Sequence, residues 1–390
     1  MTRPRTAEEP TMPAPTSRAL DVIAYHHHPV KAPLLRETVL PLAAACARQG
    51  LAAHVERHWL HGPHLRLRLQ GPADRVEAAA ESAACALRDR LRLHPSRSDR
   101  TEAELLAAAA EAGRAELVPP PHGPITPDNT VRIEPADRSS VRALLGEDGA
   151  ALRDDLLRHG LDALRAGAGF LGERGDEEPA RIRLAVTALA AHAAAHTDGL
   201  AGGHWSYVSH LEDFLLHDDP DGRLRASFDR QWERAGDSVT ALVGRIAGGG
   251  AHGWERSWAD FSAGARRLAR SRYEAGADLH GSAPAYRDRA AATGDRAAAE
   301  RWDPDARTRY SEFHRLLSRA DPGGAMFTDP GYLVHRAGTN ALYRLLAICD
   351  VRPLERYLAA HLVVRTVPAL TGSDWRTELD ALVAAAERGA

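Results

Sequence analysis

Residues 64–70, HLRLRLQ, place leucine at every second position and a polar or charged side chain between the leucines. Successive side chains of a β-strand point to opposite faces, so a strand gives this pattern two distinct sides. The side expected to cover helices consists of Leu65, Leu67 and Leu69. The opposite side consists of His64, Arg66 and Arg68. We therefore expect a sheet with one face packed against helices.

The segments around this strand predict its neighbours. A strand is expected at 20–25, a helix at 32–48, a strand at 51–60, a turn at 61–63, and a helix at 72–92 after the alternating strand. This β-α-β-β-α order is the front of a ferredoxin-like unit, in which helices cover one face of an antiparallel sheet. A short strand at 130–133 lies in a Pro-rich crossing. The predicted fold class is α+β.

The rest of the chain is predicted to be mostly helical. The expected helices are 101–112, 148–168, 178–198, 206–217, 224–247, 254–274, 305–319, 330–349, 352–370 and 374–388. Residues 276–295 are expected to form a polar loop. We predict a disordered tail at 1–18, a ferredoxin-like part at 19–140, and a helical part at 141–390 that continues the first part within one domain.

Composition narrows the classes of function. Hydrophobic residues make up 44% and charged residues 26% of the 390 residues, as in soluble globular proteins, and no apolar run is long enough to cross a bilayer. The net charge of −3 gives no general attraction to nucleic acid. The three cysteines lie far apart and predict a reducing, cytoplasmic location. Lys31 is the only lysine, so the many arginines are weak evidence for phosphate binding.

Two histidine motifs raise the question of a metal. HAAAH, residues 192–196, has the histidine spacing of zinc proteases but lacks their glutamate, so a structural role is favoured. In YHHHP, residues 25–29, neighbouring side chains of a strand point apart and do not converge on one ion. Nucleotide and dinucleotide fingerprints are absent from the sequence. We expect neither a metal nor a cofactor.

The cationic side of the alternating strand allows two interpretations. It is a solvated sheet face, or it meets an anion supplied by the chain or by a substrate. Like charges on neighbouring strand positions repel, and Glu56 is the one carboxylate close in sequence. Pairing with the preceding strand is expected to bring Arg57 beside Arg66 and Arg68.

Three motifs in order resemble one family. The hairpin RHWLHGPHLRLRLQG, residues 57–71, resembles the GPHLRLR hairpin in the C-terminal domain of class I lantibiotic dehydratases, a domain that also occurs alone in thiopeptide-type bacteriocin biosynthesis proteins. GHWSYVSHLEDFLL, residues 203–216, is similar to its middle helix. Residues 332–365, which contain His335, Asn340 and Tyr343, are similar to its late helices. The resemblance covers roughly residues 20–370.

The resemblance implies an elimination enzyme. In that family a large dehydratase glutamylates Ser and Thr of a precursor peptide, and the domain resembled here eliminates glutamate to leave dehydroalanine or dehydrobutyrine. Matching the family's motif, the implied catalytic residues are Arg66 and Arg68, which receive the leaving carboxylate, and His335, which transfers the proton. Candidate substrate-binding residues are Arg57, His64, Ser209, His210, Asn340 and Tyr343.

One departure keeps other functions open. The family's arginine-bearing segment after the Pro-rich crossing is replaced by EPADRSSVRALLGEDGA, where Arg138 or Arg142 is a possible substitute. The first alternative is a thiopeptide pyridine synthase, which joins two dehydroalanines and releases water and the leader peptide. The second is a non-catalytic protein that binds the leader. All three imply a precursor peptide as partner, with a separate glutamylating subunit, and a sheet edge is a possible docking place for the leader.

Overall fold

A computed structural model describes residues 17–389, with side chains to residue 388. Four strands form one antiparallel sheet in the order β2-β3-β1-β4. They are β1 (Ser17–Tyr25), β2 (Ala52–His58), β3 (His64–Pro72) and β4 (Val131–Pro135). This order, with β1 between β3 and β4, is the ferredoxin-like arrangement, and the α+β prediction is confirmed. The predicted tail at 1–16 lies outside the described residues.

The first half of the chain supplies the helices that cover the apolar face of this sheet. One continuous helix comprises α1 (Ala32–Leu34), a π-helical turn (Leu35–Val39) and α2 (Leu40–Arg48). It is followed by α3 (Ala73–Leu93) and α4 (Glu102–Glu116). The leucines of β3 are fully buried beneath α3, opposite Leu20 and Val22 of β1. The prediction of a leucine face packed on helices is therefore confirmed.

The second half of the chain is helical. Its elements are α5 (Ser139–His159), α6 (Leu161–Glu173), α7 (Glu178–Ala194), α8 (Gly199–Gly203), α9 (Trp205–Asp218), α10 (Arg223–Ala247), α11 (Trp254–Glu274), α12 (Ala283–Ala292), α13 (Arg296–Trp302), α14 (Glu312–Ala320), a 3-10 turn (Ala325–Thr328), α15 (Pro330–Ile348), α16 (Pro353–Thr371) and α17 (Trp375–Gly389). Buried α7 lies at the centre and packs against α10, α11, α15 and α16.

Two helix predictions and one loop prediction were wrong in detail. Residues 148–168 belong to two helices that meet at Gly160, where a Cβ would lie 2.5 Å from Leu345 of α15. The segment 276–295 is not all loop, since α12 lies within it. Helix α14 begins at Glu312, later than predicted, because the Ser311 side chain accepts a hydrogen bond from the backbone of His314 and caps the helix there.

The second face of the sheet is also covered. Helices α5 and α15 pack against β2, so the face that carries the arginines of β3 is an interface inside the protein. Glu56 of β2 lies opposite Arg66 on this face and contacts Arg153 of α5. We considered that the cationic side of β3 is either a solvated face or a face that meets an anion. The solvated interpretation is wrong for most of the strand. No helix in the described part of the chain is long and apolar enough to span a membrane.

Candidate active site

Arg68 is held in a buried ion pair with Asp21 of the neighbouring strand. The guanidinium Nε lies 2.7 Å from Asp21 Oδ1 and Nη2 lies 2.8 Å from Oδ2. Both side chains are about 4% exposed. Burial alone would lower the pKa of Arg68, but the hydrogen bonds and charge of Asp21 raise it above its ordinary value. For Arg68, then, the required anion comes from the chain itself.

The ion pair is part of a larger cluster between the sheet and α5. Arg153 contacts both Glu56 and the adjacent Asp154, with Nη1 at 3.3 Å from Glu56 Oε1 and 3.2 Å from Asp154 Oδ1. Arg138 contacts Asp154 and donates to the carbonyl of Ala150 at 2.6 Å. Burial would raise the pKa of Glu56, but Arg153 and His54 hold it well below its usual value. Of the two proposed substitutes for the family's missing arginine, Arg138 joins this cluster, whereas Arg142 pairs with Glu147 near the surface.

Arg66 is less completely neutralised. Its Nη1 lies 3.5 Å from Asp21 Oδ2, its Nη2 lies 3.3 Å from His64 Nε2, and its buried Nε has no hydrogen-bond partner among the described residues. His64 stacks on His58 of β2, with ring centroids 5.7 Å apart. Burial and the charge of Arg66 lower the pKa of His58 to about 4 and that of His64 well below its ordinary value. Two neutral imidazoles therefore lie beside Arg66.

Arg57 does not lie beside the other two arginines. The register pairs Arg57 with Leu65 and Val55 with Leu67, so Arg57 projects from the leucine face. There it contacts Asp350 and donates to the carbonyl of Ala347 at 3.2 Å. The expected placement beside Arg66 and Arg68 was wrong. Arg57 instead fastens β2 to the end of α15.

His335 lies in a separate cluster of histidines. Its ring stacks on that of His192 with centroids 4.4 Å apart, and its Nε2 lies 3.2 Å from the carbonyl oxygen of Gly203. His196 meets the same ring edge-on at 4.9 Å. Burial and His192 lower the pKa of His335 well below its ordinary value. Gly338 makes this packing possible, because a Cβ there would lie 2.7 Å from His192 Cε1.

The histidine cluster does not resemble a metal centre. Ring nitrogens point outward within the plane of each imidazole, so the parallel rings of His192 and His335 do not aim their lone pairs at one point. His192 Nε2 is occupied by the hydroxyl of Thr339 at 3.0 Å. No group of three or more metal-ligating side chains with suitable geometry occurs in residues 17–388. The favoured structural role for HAAAH agrees with this packing.

One face of α15 brings other candidates together. Asn340, Tyr343 and Arg344 are spaced i, i+3 and i+4 and so share a side of the helix. His335 lies about two turns before Tyr343, and its Nε2 lies 3.5 Å from the hydroxyl of Ser206, also on α9. The hydroxyl of Tyr343 lies 3.1 Å from Nδ1 of His210 on α9. The two motifs that contain these residues are far apart in sequence and meet at this hydrogen bond.

The surrounding protein influences the charge state of this pair, although the side chain of His210 is solvent-exposed. Desolvation by that protein and then the charge of Arg356 lower the pKa of His210 to about 4, and desolvation raises the pKa of Tyr343 above its ordinary value. Both side chains are therefore neutral at pH 7. They share one hydrogen bond between a phenol and an imidazole, a combination that both accepts and supplies a proton. Ser209 has another neighbour, since its hydroxyl lies 3.0 Å from Nε2 of His314.

Sequence reasoning missed two arginines, one next to Tyr343 in sequence and one that contacts its ring. Arg344 is solvent-exposed, yet Arg153 and desolvation lower its pKa, a combination expected of a side chain in a concave surface. Arg356 of α16 lies over the ring of Tyr343, with its guanidinium carbon 4.4 Å from the ring centroid. The helical spacing from Asn340 was a signal that could have identified Arg344. The position of Arg356 depends on how α15 and α16 pack and left no such signal.

Comparison with known families fits this arrangement. A family model described as lantibiotic biosynthesis dehydratase C-term matches residues 20–320, most of the chain. The chain belongs to this family. The recognition of this family is thereby confirmed, and the matched residues include the hairpin and the middle helix, whereas the late helices at 332–365 lie beyond them. Membership of the lantibiotic dehydratase C-terminal family makes the chain an enzyme of ribosomal peptide natural-product biosynthesis, with a precursor peptide as substrate.

Two solved structures share the fold of this family member. The pyridine synthase TbtD from thiomuracin biosynthesis aligns with a TM-score of 0.64 and 21% identity, over 91% of this chain and 99% of that one. TsrL aligns with a TM-score of 0.58 and 17% identity, over 94% of this chain and 98% of the other. A comparison with curated protein sequences finds no match.

Proposed function

We propose that the chain is a pyridine-forming cyclase that joins two dehydroalanines of one precursor peptide. The observation that carries this proposal is the separation of the residues required for glutamate elimination. Arg68 is already paired with Asp21, and His335 lies among histidines about two turns of α15 before Tyr343. The site around Tyr343 and His210 instead offers neutral proton donors and acceptors. The similar fold of a pyridine synthase adds support.

Ring closure needs groups that both accept and supply protons, and the neutral side chains of Tyr343 and His210 are such groups. Moving the N–H proton of an amide to its oxygen converts one dehydroalanine into a 2-azadiene, and two carbon–carbon bonds to the second dehydroalanine close the ring. The ring hydroxyl then leaves as water and the leader peptide leaves as its carboxamide, so no oxidant or reductant is consumed. In this proposal the hydroxyl of Tyr343 and the imidazole of His210 move the amide and hydroxyl protons. Asn340 orients the peptide.

The same chemistry defines the preceding step. Ring closure consumes dehydroalanine, so an enzyme that dehydrates serine must act earlier on the same peptide. We propose that a separate glutamylating subunit and its elimination partner supply this substrate. Co-expression of the precursor with and without those activities tests this order. Ring formation from a precursor whose serines are still intact would contradict it.

Glutamate elimination remains the second candidate, and Arg66 is the observation that favours it. Arg66 retains a buried Nε with no partner among the described residues and lies beside two neutral imidazoles. A guanidinium in that state suits a departing carboxylate. His58 and His64 would then be nearer than His335 to the reacting carbon.

Mass spectrometry of two peptides separates the candidates. A precursor that already contains dehydroalanines should lose water and release its leader when incubated with the protein. A glutamylated precursor should remain unchanged. Loss of glutamate from the second peptide, with no change in the first, would replace the cyclase proposal with elimination. Binding of both peptides with no change in mass would support the leader-binding alternative.

A further inference from the structure

Residues 283–302, which form α12 and α13, contribute little to the hydrophobic core. Within this range, all of which the structure describes, Ala290 is the one buried residue. The rings of Tyr286 and Trp302 stack on each other, with centroids 5.3 Å apart and planes 12° from parallel. This stacking joins α12 to α13, so the two helices are connected more firmly to each other than to the helices around them. Segments with few buried apolar contacts open at a low cost in free energy.

Polar contacts hold this segment to neighbouring helices. Arg289 of α12 donates to the hydroxyl of Ser140 at 2.6 Å. Arg301 of α13 donates from Nε to Asp213 of α9 at 2.8 Å, and Arg307 donates to the same carboxylate at 2.6 Å. Ion pairs that water can reach contribute less to stability than buried apolar contacts and are weakened by salt. The position of α13 therefore depends on the carboxylate of Asp213.

The start of the segment is anchored in the protein. Nη2 of Arg336 on α15 donates to the backbone carbonyls of Leu279 and His280 at 2.6 and 2.7 Å, and Leu279 is buried. The chain then turns at Gly281, whose φ of 74° lies in the left-handed region that favours glycine. Beyond α13, residues 303–311 form neither helix nor strand. A segment that is anchored at its start and followed by irregular backbone can rotate about that start.

The segment spans the two helices that carry the candidate site. On α15, Arg336 precedes Tyr343 by seven residues, about two turns, so both side chains lie on one side of that helix. On α9, Asp213 follows His210 by three residues, so these two also share a side. The hydroxyl of Tyr343 contacts His210 between the same helices. The segment therefore runs from one side of this hydrogen bond to the other.

Tyr286 supports this position of α12. Burial raises the pKa of its hydroxyl, and the charges of Arg336 and Arg344 on α15 act against that shift. Arg344 directly follows Tyr343 in the sequence. The ring of Tyr286 therefore lies near the part of α15 that contains the candidate site.

We infer that residues 283–302 are a lid over the groove between α9 and α15, which opens to let a peptide reach Tyr343 and His210. The role of these two side chains as reacting groups rests on the proposed function. Opening breaks the ion pairs of Asp213 and turns α12 and α13 away together. Closing removes water from the groove, which suits a reaction in which protons move between neutral groups.

Hydrogen exchange of the full chain, measured by mass spectrometry, tests the lid without a substrate. Amides of α12 and α13 should exchange about tenfold faster than those of α11, which is fixed by buried Trp258 and Phe261. Asp213→Asn should raise the exchange rate of both lid helices about tenfold further, the change expected when one charge-assisted contact is lost. Added NaCl should raise it in the wild-type chain. Exchange of α12 and α13 as slow as that of α11 would overturn the inference.

The matched control is Asp229→Asn, the same substitution in another interhelical ion pair. Asp229 of α10 pairs with Arg365 of α16 at 3.0 Å. Exchange of α12 and α13 in this variant should stay within about twofold of wild type. Thermal melts monitored by circular dichroism confirm that each variant is folded. An equal rise in both variants, or a rise in α13 without one in α12, would contradict a lid that moves as one unit.

A reversible tether connects the lid with activity. Asp213→Cys and Arg301→Cys, in a chain whose exposed Cys85 is replaced by serine, are joined by a bifunctional methanethiosulfonate. The tethered chain should lose ring closure of a precursor that contains dehydroalanines and regain it after reduction. The reductant is removed before the precursor is added, because thiols add to dehydroalanine.

The two measurements separate the lid from the proposed function. Ring closure by the tethered chain at the rate of the reduced chain would overturn the lid. Absence of ring closure in the wild-type chain, with fast exchange of α12 and α13 that depends on Asp213, would contradict only the cyclase.

Discussion

Asp21 of β1 and Arg68 of β3 face each other in register and form a two-point ion pair inside the sheet, with N···O distances of 2.7 and 2.8 Å. The same carboxylate also neutralises part of the charge of Arg66, at 3.5 Å. One acidic residue thus allows two arginines to occupy neighbouring positions on a covered face. The charge of Arg68 is thus balanced within the sheet.

Removing Asp21 should destabilise the fold. In Asp21→Asn the guanidinium of Arg68 stays buried without its partner, and we expect a loss of about 3–5 kcal/mol in the free energy of unfolding. Urea denaturation monitored by circular dichroism measures it. Glu134→Gln, opposite Asp21 on β4 and half-exposed, is the control and should cost less than about 0.5 kcal/mol. Equal losses in the two variants would refute the assigned role of the ion pair.

Lys31 should titrate near neutral pH. Burial, followed by the charge of Arg57, lowers its pKa from 10.5 to about 7, and its Nζ donates to the carbonyl of His28 at 2.8 Å. Because the chain has one lysine, protein labelled with ¹³C at lysine Cε gives one side-chain resonance to follow with pH. A midpoint near 10 would contradict the predicted pKa.

The same shift predicts how stability depends on pH. Between about pH 7 and 10.5 the unfolded chain binds a proton at Lys31 that the folded chain does not, so this residue makes stability rise with pH in that window. Lys31→Met removes the desolvated amine. The variant should be more stable than wild type at pH 7, and the difference should shrink toward pH 10. A constant difference across that range would show that the amine is not responsible.

Tyr343→Phe should abolish most of the ring-closing activity while leaving the fold intact. Loss of the hydroxyl removes one member of the proton-transferring pair, and we expect kcat to fall about 10²-fold or more. Activity of the wild-type chain should fall as the pH approaches about 4, where His210 becomes protonated. Tyr273→Phe on α11 is the control variant. Unchanged kcat in Tyr343→Phe would remove this hydroxyl from the reaction.

His335 should be dispensable for chemistry. Its ring stacks on His192 and its nitrogen contacts the carbonyl oxygen of Gly203, about two turns of α15 away from Tyr343. His335→Gln should lower the melting temperature but change kcat by less than about threefold, since no transition-state contact is lost. A fall of two orders of magnitude in kcat, with an unchanged melting temperature, would restore the role that the family resemblance implied.

Periodicity explains which predictions about the sheet succeeded. Alternation in residues 64–70 identified the buried leucines, because packing against helices demands that pattern. The same rule could have corrected Arg57. Val55 and Arg57 share a face by alternation, and Val55 packs opposite Leu67, so Arg57 had to lie on the leucine face.

The contacts of the candidate site that the sequence could not predict are those between residues far apart in the chain. The contact of Arg153 with Glu56 and that of His210 with Tyr343 each join distant parts of the chain. Their formation depends on how helices pack on the sheet, which local patterns do not specify. Helical spacing from Asn340 contained the signal for Arg344. About two turns of α15 separate His335 from Tyr343, although both residues belong to one recognised motif.

Asp350 fixes the position of the end of α15 relative to the sheet. Its carboxylate accepts the backbone N–H groups of Lys31 and Ala32, both at 2.7 Å, and contacts the guanidinium of Arg57. The end of α15, the start of α1 and strand β2 are thereby tied to one side chain. In chimaeras with relatives, the number of residues from Tyr343 to Asp350 determines where the reacting hydroxyl lies relative to the sheet. A transplanted segment that includes α15 but not Asp350 would contain Tyr343 without the contacts that fix its position relative to the sheet.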